Sequence, residues 1–502
     1  MLASVHTFAL LGVEARDVLV EVDVRGGLPA FSIVGLPDAA VRESRERVRV
    51  ALGNSGFEFP QKRITVSLAP ANLPKAGPAF DLAIAAGVLA ASGQLPLSLL
   101  NEVGLAGEVA LDGSVRPIVG ALPMALRARD AGLRLIGVPR ANEAEAALAG
   151  VLPANGPAAV IGLDRLSQLH ELGAPENPAA IPELGCDSGG GADLAQLRGQ
   201  LGLRRALEVA AAGGHSLLML GPPGVGKSMA ARRLPSILPP LAPAEAIEAL
   251  SVASACGRLP ALSRARSRPF RAPHHTISCA GLVGGGTPPR PGELSRAHRG
   301  LLFLDELPEF SRDALEALRQ PLEEGRIVVA RARHSVSLPC RTMLVAAANP
   351  CPCGRAAGEL ECDCSPGAIR RYRSRISGPL ADRVDITAEV GAPSARELAA
   401  GPGEASEEVR ERVLAARRLQ AGRLGAGRCN AEAAVEEIRR DAALNAGAAR
   451  TLADGQASLG LSGRGYDRVL RLARTIADLA GREAVNGDDV AEALTLRSRA
   501  DE

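Results

Sequence analysis

The feature that most constrains this chain is the glycine-rich segment 221–228, Gly-Pro-Pro-Gly-Val-Gly-Lys-Ser, which follows the apolar run Leu-Leu-Met-Leu. A turn of the form GxxxxGK[S/T] between a strand and a helix is typical of loops that wrap phosphates. Its glycines let backbone N–H groups approach an anion, and the helix N-terminus adds a positive dipole. The chain has only three lysines, and Lys227 is one of them. A chance glycine turn would rarely place so scarce a residue at the required position.

The loop predicts binding of nucleotide phosphates with Mg²⁺. We expect Lys227 to reach the β and γ phosphates and the Ser228 hydroxyl to ligate Mg²⁺. The predicted nucleotide contacts are Gly221, Pro222, Pro223, Gly224, Val225, Gly226, Lys227 and Ser228.

A second apolar run, Leu-Leu-Phe-Leu at 301–304, ends in the two carboxylates Asp305 and Glu306. Alone, such an ending is as often a solvated strand edge. Downstream of a phosphate loop it predicts a hydrolytic site, in which Asp305 holds Mg²⁺ through its water shell and Glu306 orients the attacking water. Asn349 ends the next apolar run and is expected to position the same water, the alternative being a simple Asn-Pro turn.

The length of 502 residues predicts two to four domains. Residues 1–172 alternate strand-like and Ala-rich helical stretches, as in an α/β or α+β domain, and the Gly- and Pro-rich segment 173–194 is typical of a linker. Residues 195–394 alternate apolar strands with helices, which indicates a parallel sheet. Residues 395–502 are rich in Ala, Arg, Glu and Leu at helical spacing. The predicted fold class is α/β with a helical C-terminal domain.

Four cysteines crowd into fourteen residues as two CxC pairs. They are Cys351, Cys353, Cys362 and Cys364. Four thiolates on a loop rich in Gly and Pro can close a tetrahedral Zn²⁺ site. The CxC spacing is less specific than CxxC, so free cysteines are the alternative. The total of nine cysteines is odd and does not indicate a disulfide scaffold.

The whole chain resembles the ComM/YifB family of magnesium chelatase-like AAA+ ATPases. The most specific stretches are RPFRAPHHTIS (268–278), GLVGGG (281–286), PGELSRAHRGLLFLDELPEF (291–310), NPCPCG (349–354), SGPLADRVD (377–385) and ARTIADL (473–479). The resemblance implies a Lon-like N-terminal fold, a homo-hexameric AAA+ ring and a helical lid.

The same resemblance implies catalytic roles for two arginines. Arg383, in PLADRVD, is implied to be the arginine finger that reaches the nucleotide of the next subunit. Arg464, in LSGRGYDR, is implied to be the second sensor in the lid, with Arg468 as its competitor. For Arg383 and Arg464 alike the alternative is a surface ion pair, which contributes ~0–1 kcal/mol.

The N-terminal domain resembles the Lon protease domain, but its catalytic dyad is missing. Ala79 stands in the turn where the nucleophilic Ser is required, and Met124 stands on the helix where Lys is required. We therefore interpret this domain as a non-proteolytic binding or assembly module.

Residues 327–339 read as two short strands around Arg331, Arg333 and His334. In related AAA+ rings a hairpin at this place faces the pore, where Arg side chains would contact nucleic-acid phosphates without reading bases. A solvated hairpin tip is the alternative. His274 and His275, with Arg271, either belong to a second insertion near the pore or are structural or surface residues, as adjacent histidines more often are.

Composition limits how nucleic acid could be bound. The net charge of +2 excludes a histone-type binder, and an aromatic content of 2% does not favour a base-stacking platform. The N-terminus has no basic segment of the signal-peptide type, and no apolar run reaches the ~18–20 residues that span a bilayer. These features predict a cytoplasmic protein without a membrane partner.

Resemblance and residues together predict an ATP-driven hexameric motor that acts on single-stranded or branched DNA. The resemblance implies branch migration of recombination intermediates during natural transformation. The alternative is a chelatase-like or chaperone-type ATPase that remodels a protein partner. An ATP-dependent Lon-type protease is disfavoured by Ala79 and Met124.

Overall fold

The computed structural model describes residues 1–152, 158–173, 178–186, 192–286, 289–330, 335–355, 362–376, 380, 383–399 and 401–497. Within these residues two large sheets organise the chain. A mixed sheet lies in the N-terminal region, a parallel sheet lies in the middle, and helices follow.

The N-terminal sheet has seven strands in the order β3-β4-β2-β1-β5-β8-β9 among the described residues. The strands of this region are β1 (Leu2–Leu11), β2 (Glu14–Arg25), β3 (Ala30–Val34), β4 (Arg63–Ala69), β5 (Val103–Leu105), β6 (Glu108–Val109), β7 (Val115–Arg116), β8 (Leu135–Pro139) and β9 (Ala159–Leu163). Its helices are α1 (Ala39–Asn54), α2 (Asp81–Ser92), α3 (Ala121–Asp130) and α4 (Glu143–Ala147).

Helix α2 forms the centre of this region because almost every residue in it is apolar or small. It packs on β1 and β2, and a Cβ at Gly87 would lie only 2.6 Å from Val22 Cγ2. The one acidic residue of α2, Asp81, is fully buried and receives an ion pair from Arg47 at 2.8 Å. A buried carboxylate is tolerated here because it is paired.

The middle region is built on a parallel five-stranded sheet with the order β11-β14-β17-β10-β18. Its strands are β10 (Leu217–Leu220), β11 (Phe270–Arg271), β14 (Leu301–Leu304), β17 (Met343–Ala348) and β18 (Ile386–Glu389). Two short hairpins accompany it, β12 (Gly284–Gly285) with β13 (Arg290–Pro291), and β15 (Arg326–Ala330) with β16 (Ser335–Pro339). The helices are α5 (Leu201–Gly213), α6 (Lys227–Ile237), α7 (Pro243–Ala255), α8 (Cys279–Val283), α9 (Glu293–Arg296), α10 (Arg312–Ala317), α11 (Arg319–Glu324) and α12 (Pro366–Ile376).

The last region is helical throughout its described part. Its helices are α13 (Ala395–Ala399), α14 (Ser406–Leu424), α15 (Val435–Asp441), α16 (Ala446–Leu459), α17 (Gly463–Leu479) and α18 (Gly487–Thr495). Helices α14 and α17 both contact α5, and α14 also contacts α6, the helix that follows the phosphate loop. The helical region therefore packs on the two helices that flank β10 in the chain.

The N-terminal region packs directly against the middle region at two places. The β1–β2 turn places Val13 in one apolar cluster with Val336 and Leu338 of β16. Helix α3 contacts α7, and Met124 is buried in a second cluster that includes Ile247 of α7. The middle region thus shares buried apolar surface with the N-terminal region.

Among the described helices, none combines the length and the low polarity that are needed to cross a bilayer.

Candidate nucleotide site

The carboxyl ends of three neighbouring strands bring the predicted chemistry to one edge of the parallel sheet. Strand β17 lies between β10 and β14, and the register aligns Leu220 with Ala348 and Leu304 with Ala346. Because the strands are parallel, the residues that follow them meet at the same edge. The phosphate loop, Asp305 and Asn349 all follow these strands directly.

The loop has the backbone shape that phosphate binding requires. Gly224 and Gly226 have φ values of +82° and +96°, which side chains other than glycine rarely allow. Gly226 is the N-cap of α6, so the unpaired N–H groups of that helix begin at Lys227. The side chain of Gln200 supports the loop by donating to the Val225 carbonyl at 2.7 Å and to the Gly391 carbonyl at 3.1 Å. These features fit the triphosphate of a nucleotide.

Lys227 lies inside the loop and is 7% exposed. Its Nζ donates to the Gly221 carbonyl at 2.5 Å, to the Pro222 carbonyl at 2.8 Å and to Asn349 Oδ1 at 3.1 Å. Burial lowers the pKa of this ammonium group, while the charges of Asp305 and Glu306 oppose that shift. The structure thereby joins two predicted site residues, Lys227 and Asn349.

Ser228 and Asp305 also meet, since the Ser228 hydroxyl donates to Asp305 Oδ2 at 2.6 Å. A hydroxyl and a carboxylate oxygen beside a phosphate loop are the donor set that Mg²⁺ prefers in nucleotide sites. The residues present therefore fit the predicted cation.

Glu306 follows Asp305 at the sheet edge, with its side chain 56% exposed and a φ of +52°. The His275 ring contacts it, with Nδ1 3.4 Å from Glu306 Oε2. His275 could not be placed here from its spacing in the chain, because the parallel pairing of β11 with β14 is what brings it to the same sheet edge as Glu306.

Tyr372, on α12, is a second residue that sequence reasoning missed. Its side chain is buried, which raises the pKa of the phenol to about 12, and its hydroxyl is hydrogen-bonded to the backbone of Asn349. Tyr372 therefore helps to fix the position of Asn349.

The two predicted arginines lie in different surroundings. Arg383 forms an ion pair with Glu323 of α11, and its side chain is 17% exposed. Arg464 is exposed on the first turn of α17. Its competitor Arg468 is largely buried, with Nε 3.6 Å from an oxygen of Asp385, which precedes β18 at the sheet edge opposite the phosphate loop. Of these two arginines of α17, Arg464 is the more exposed.

The four clustered cysteines converge, and their sulfur atoms all lie within 4.8 Å of one another. The sulfur of Cys351 is 3.3 Å from that of Cys353 and 3.7 Å from that of Cys362. Four thiolates at Zn–S distances of about 2.3 Å would lie about 3.8 Å apart in a tetrahedron, so the arrangement fits zinc. A backbone hydrogen bond from Arg355, helped by Cys351, lowers the pKa of Cys353 to about 6.

The cysteine cluster adjoins the nucleotide site. Cys351 follows Asn349 by two residues, and a Cβ at Gly354 would lie 2.6 Å from Pro223 Cδ of the phosphate loop. The predicted DNA contacts Arg331, Arg333 and His334 lie outside the described residues, although the strands on either side of them, β15 and β16, pair from Arg326 with Pro339 to Ala330 with Ser335.

Comparison with known proteins agrees with this geometry. Residues 193–398 match the family described as magnesium chelatase, subunit ChlI, and residues 20–142 match subunit ChlI of Mg-chelatase. Residues 403–497 match the magnesium chelatase subunit ChlI C-terminal family. Fold and site together define an AAA+ ATPase of the magnesium chelatase type.

Relatives of nearly the same length show to which family within this class the chain belongs. The protein named Competence protein ComM from Haemophilus influenzae is 45% identical, over 99% of this chain and 97% of its own. The Uncharacterized protein YifB from Salmonella typhimurium is 43% identical with the same coverage. The chain belongs to the ComM/YifB family, as its sequence motifs predicted.

The N-terminal region also resembles Lon. Lon protease 2 of Bacillus subtilis is 31% identical over 100 residues, which is 20% of this chain and 18% of that protein. The predicted fold class is confirmed, with a Lon-like region, an ATPase core and a helical C-terminal region. Met124 is buried in an apolar cluster against which Ala79 also packs, and these are the two residues predicted to stand in place of the dyad.

Proposed function

We propose that this chain is the subunit of a homo-hexameric, Mg²⁺-dependent ATPase that moves on single-stranded or branched DNA. The observation that carries its ATPase chemistry is the pair of contacts Lys227 to Asn349 and Ser228 to Asp305, which assembles a nucleotide site from three strand ends. The particular task we propose is branch migration of recombination intermediates during natural transformation.

In the proposed chemistry Lys227 and the loop N–H groups hold the phosphates, and Ser228 and Asp305 hold Mg²⁺. Bound Mg²⁺ supplies neutralisation of the charge that develops on the phosphoryl oxygens. Glu306 orients the attacking water, and Asn349, held by Lys227 and Tyr372, positions the same water from β17. Arg464 contacts the nucleotide from the helical lid.

In the assembled ring, a neighbouring subunit supplies a further positive charge to each nucleotide site. We propose that Arg383 exchanges its ion pair with Glu323 for the phosphates bound by the next subunit. In the isolated chain the Arg383 side chain is paired with Glu323 and is 17% exposed. A finger of this kind typically contributes ~10³–10⁵ in rate.

We also propose a structural zinc ion at the four cysteines. The close approach of the four sulfur atoms supports it. The cluster would stiffen the loop between Asn349 and α12.

DNA is the favoured substrate for two reasons. A relative that matches this chain over nearly its full length is named a competence protein. In the sequence, Arg331 and Arg333 stand between the segments that form β15 and β16, and arginines suit contacts to phosphates. A protein-remodelling ATPase is the second candidate, and the matching chelatase families favour it.

An ATPase assay separates these candidates. The rate is measured at low salt without DNA, with single-stranded DNA and with a four-way junction, together with a strand-movement assay. We expect junction DNA to raise the rate and ATP to drive strand movement, both falling steeply with salt because phosphate contacts dominate binding. If no DNA changes the ATPase rate and no strand movement is seen, the DNA-motor function is wrong and the protein-remodelling function takes its place.

A further inference from the structure

A buried histidine joins the parallel-sheet core to the C-terminal helical region. His215 lies between α5 and β10 and is fully buried. Its Nε2 lies 2.8 Å from the hydroxyl of Thr475 on α17, and its Nδ1 lies 3.4 Å from Oδ2 of Asp385, just before β18. One ring of the core therefore contacts both a helix of the helical region and the chain that follows Arg383.

The side chain of Asp385 is held by the core and by the helical region together. The Ser216 N–H donates to Oδ2 at 3.3 Å, and Nε of Arg468 on α17 lies 3.6 Å from Oδ1. Burial alone would raise the pKa of this carboxyl, but the contacts with His215 and Arg468 outweigh it and lower the pKa. Asp385 is therefore a carboxylate through which the core and α17 are joined.

The helical region also contacts the backbone just beyond Asp385. Strand β18 lies at the edge of the five-stranded sheet and pairs with β10. The Thr387 N–H of β18 donates to the Leu496 carbonyl, beyond α18, at 2.7 Å. Asp385 follows Arg383 by two residues. A shift of the helical region therefore acts on the chain within two residues of the proposed arginine finger.

Helix α17 connects these contacts to the nucleotide site. Arg464 lies on its first turn, and Arg468 follows about one turn later. Thr475, which contacts His215, lies about two turns beyond Arg468. A displacement of α17 by a nucleotide at Arg464 would therefore reach Asp385 and His215 along the same helix.

We propose that His215 is a positioning residue that couples α17 to the segment of Arg383, so that the nucleotide held by one subunit sets the finger which that subunit presents to the next. The inference rests on the proposed roles of Arg383 and Arg464. His215 precedes β10, whereas the phosphate loop follows it, and the four residues of that strand span roughly 13 Å. His215 thus acts at a distance from the bound phosphates.

The helical region has other means of staying on the core when this contact is lost. Leu472 and Ile476 of α17 are buried in one apolar cluster with Leu207 of α5 and Ile386 of β18. This packing holds α17 in place, while the polar contacts of His215 set its alignment with the Arg383 segment. Loss of His215 should therefore change catalysis more than folding or nucleotide binding.

The first test measures kcat for ATP and the affinity for a fluorescent ATP analogue in full-length protein. His215→Leu removes both polar contacts of the ring. Because a misplacement of about 1 Å at a catalytic group can cost about 10²-fold in rate, we expect kcat to fall about 10- to 100-fold. Thr475→Val removes one hydroxyl, so its kcat should fall about 2- to 10-fold. The affinity for the analogue should stay at the wild-type value in both variants.

His298→Leu is the matched control. His298 is also buried, and its Nε2 lies 3.1 Å from Oε2 of Glu248 on α7, so its loss removes a histidine–carboxylate contact that does not involve the helical region. Its kcat should stay within about twofold of the wild type, since distant sites act independently. A fall as large as that of His215→Leu would mean that any lost buried histidine has this effect, and it overturns the inference.

Mixed rings give the readout that a merely structural role would not produce. If His215→Leu misplaces only the finger of its own subunit, the nucleotide site of that subunit remains complete. Mixing with Glu306→Gln, whose finger is intact, should then raise ATPase activity above the sum of the separate samples. Mixing with Arg383→Ala should not, because every interface lacks a working finger. Thr475→Val replaces His215→Leu in these mixtures if His215→Leu does not fold.

The outcomes separate the coupling from the proposed function. An unchanged or higher kcat in the folded His215 and Thr475 variants overturns the inference. So does a failure of His215→Leu to gain from Glu306→Gln when Arg383→Ala does gain, and in that case the ring and its finger stand. If Arg383→Ala hydrolyses ATP at the wild-type rate, the proposed finger is wrong and the coupling fails with it.

Discussion

At the scale of single residues, variants of Lys227 and Glu306 should separate ATP binding from ATP hydrolysis. Lys227→Ala should weaken ATP binding about 10- to 100-fold, because it removes hydrogen bonds from a charged group to the phosphates. Glu306→Gln should bind ATP as the wild type does and stall before hydrolysis. Equilibrium binding and single-turnover hydrolysis measure the two effects. Wild-type turnover in Glu306→Gln would refute the assignment of the water-orienting residue.

The sequence was informative about residues whose neighbours are local in the chain or whose position follows from a strand end. Asp305, Asn349 and the phosphate loop that carries Lys227 each follow an apolar run directly, and parallel pairing brings such ends together. Gln200, Tyr372 and His275 could not be found in this way. Their contacts cross between elements that are distant in the chain, and nothing in their own spacing marks them.

At the scale of elements, the cysteine cluster should behave as a metal-stabilised loop. Purified protein should carry about one zinc per chain, and changing Cys351 and Cys364 to Ser should remove the metal together with local order, since thiolate binding is coupled to folding. Cys186→Ser is the control, because Cys186 is exposed and outside the cluster. Elemental analysis of fresh, reduced protein checks this. Absence of zinc there would leave the free-thiol alternative.

The β15–β16 hairpin is the second element with a testable role. Replacing Arg331 and Arg333 by Ala should abolish strand movement and leave the basal ATPase rate largely intact, because the hairpin lies outside the nucleotide pocket. Arg326→Ala is a matched control, since Arg326 begins β15, is 63% exposed and pairs with Glu324 at 3.5 Å. If the control loses strand movement as fully as the double variant, Arg331 and Arg333 have no special role.

Longer elements were easier to anticipate than short ones. The apolar runs that became β10, β14 and β17 and the Ala-rich helix α2 have clear patterns over several residues. Strands β11 and β12 have two residues each, which is too few to show any period. Their places follow from tertiary pairing, and β11 is the strand that delivers His275 to the site.

At the scale of the whole molecule, the proposed hexameric ring predicts that two inactive variants restore ATPase activity when they are mixed. Arg383→Ala and Glu306→Gln should each be inactive, but mixed rings contain some interfaces with both groups intact. ATPase activity should therefore recover at intermediate mixing ratios. Glu323→Gln is the control and should remain active, because Arg383 leaves Glu323 when it acts. No recovery at any ratio, in rings shown to mix, would argue against an action across the interface.

The contact between the N-terminal region and β16 can be tested by steric substitution. Gly12 has φ +68°, and a Cβ there would lie 2.5 Å from Val336 Cγ1 and 2.9 Å from Leu338 Cδ2. Gly132 has φ +73° with nothing within 4 Å, so Gly132→Val carries the backbone cost alone. Overpacking should lower the free energy of unfolding of Gly12→Val by about 1–3 kcal/mol more than that of Gly132→Val. Gly12→Val should therefore unfold at the lower temperature. Equal unfolding temperatures would mean that the contact contributes nothing.

Sharing of buried surface between the N-terminal and middle regions has a thermodynamic consequence. Val13 packs in one apolar cluster with residues of β16, and Ile247 packs in another with residues of α3, so the unfolding of either region exposes apolar surface that belongs to the other. Regions that share buried apolar surface tend to unfold cooperatively. The first two regions should therefore melt in a single calorimetric transition, and their slowest amide protons should exchange with a common free energy of opening.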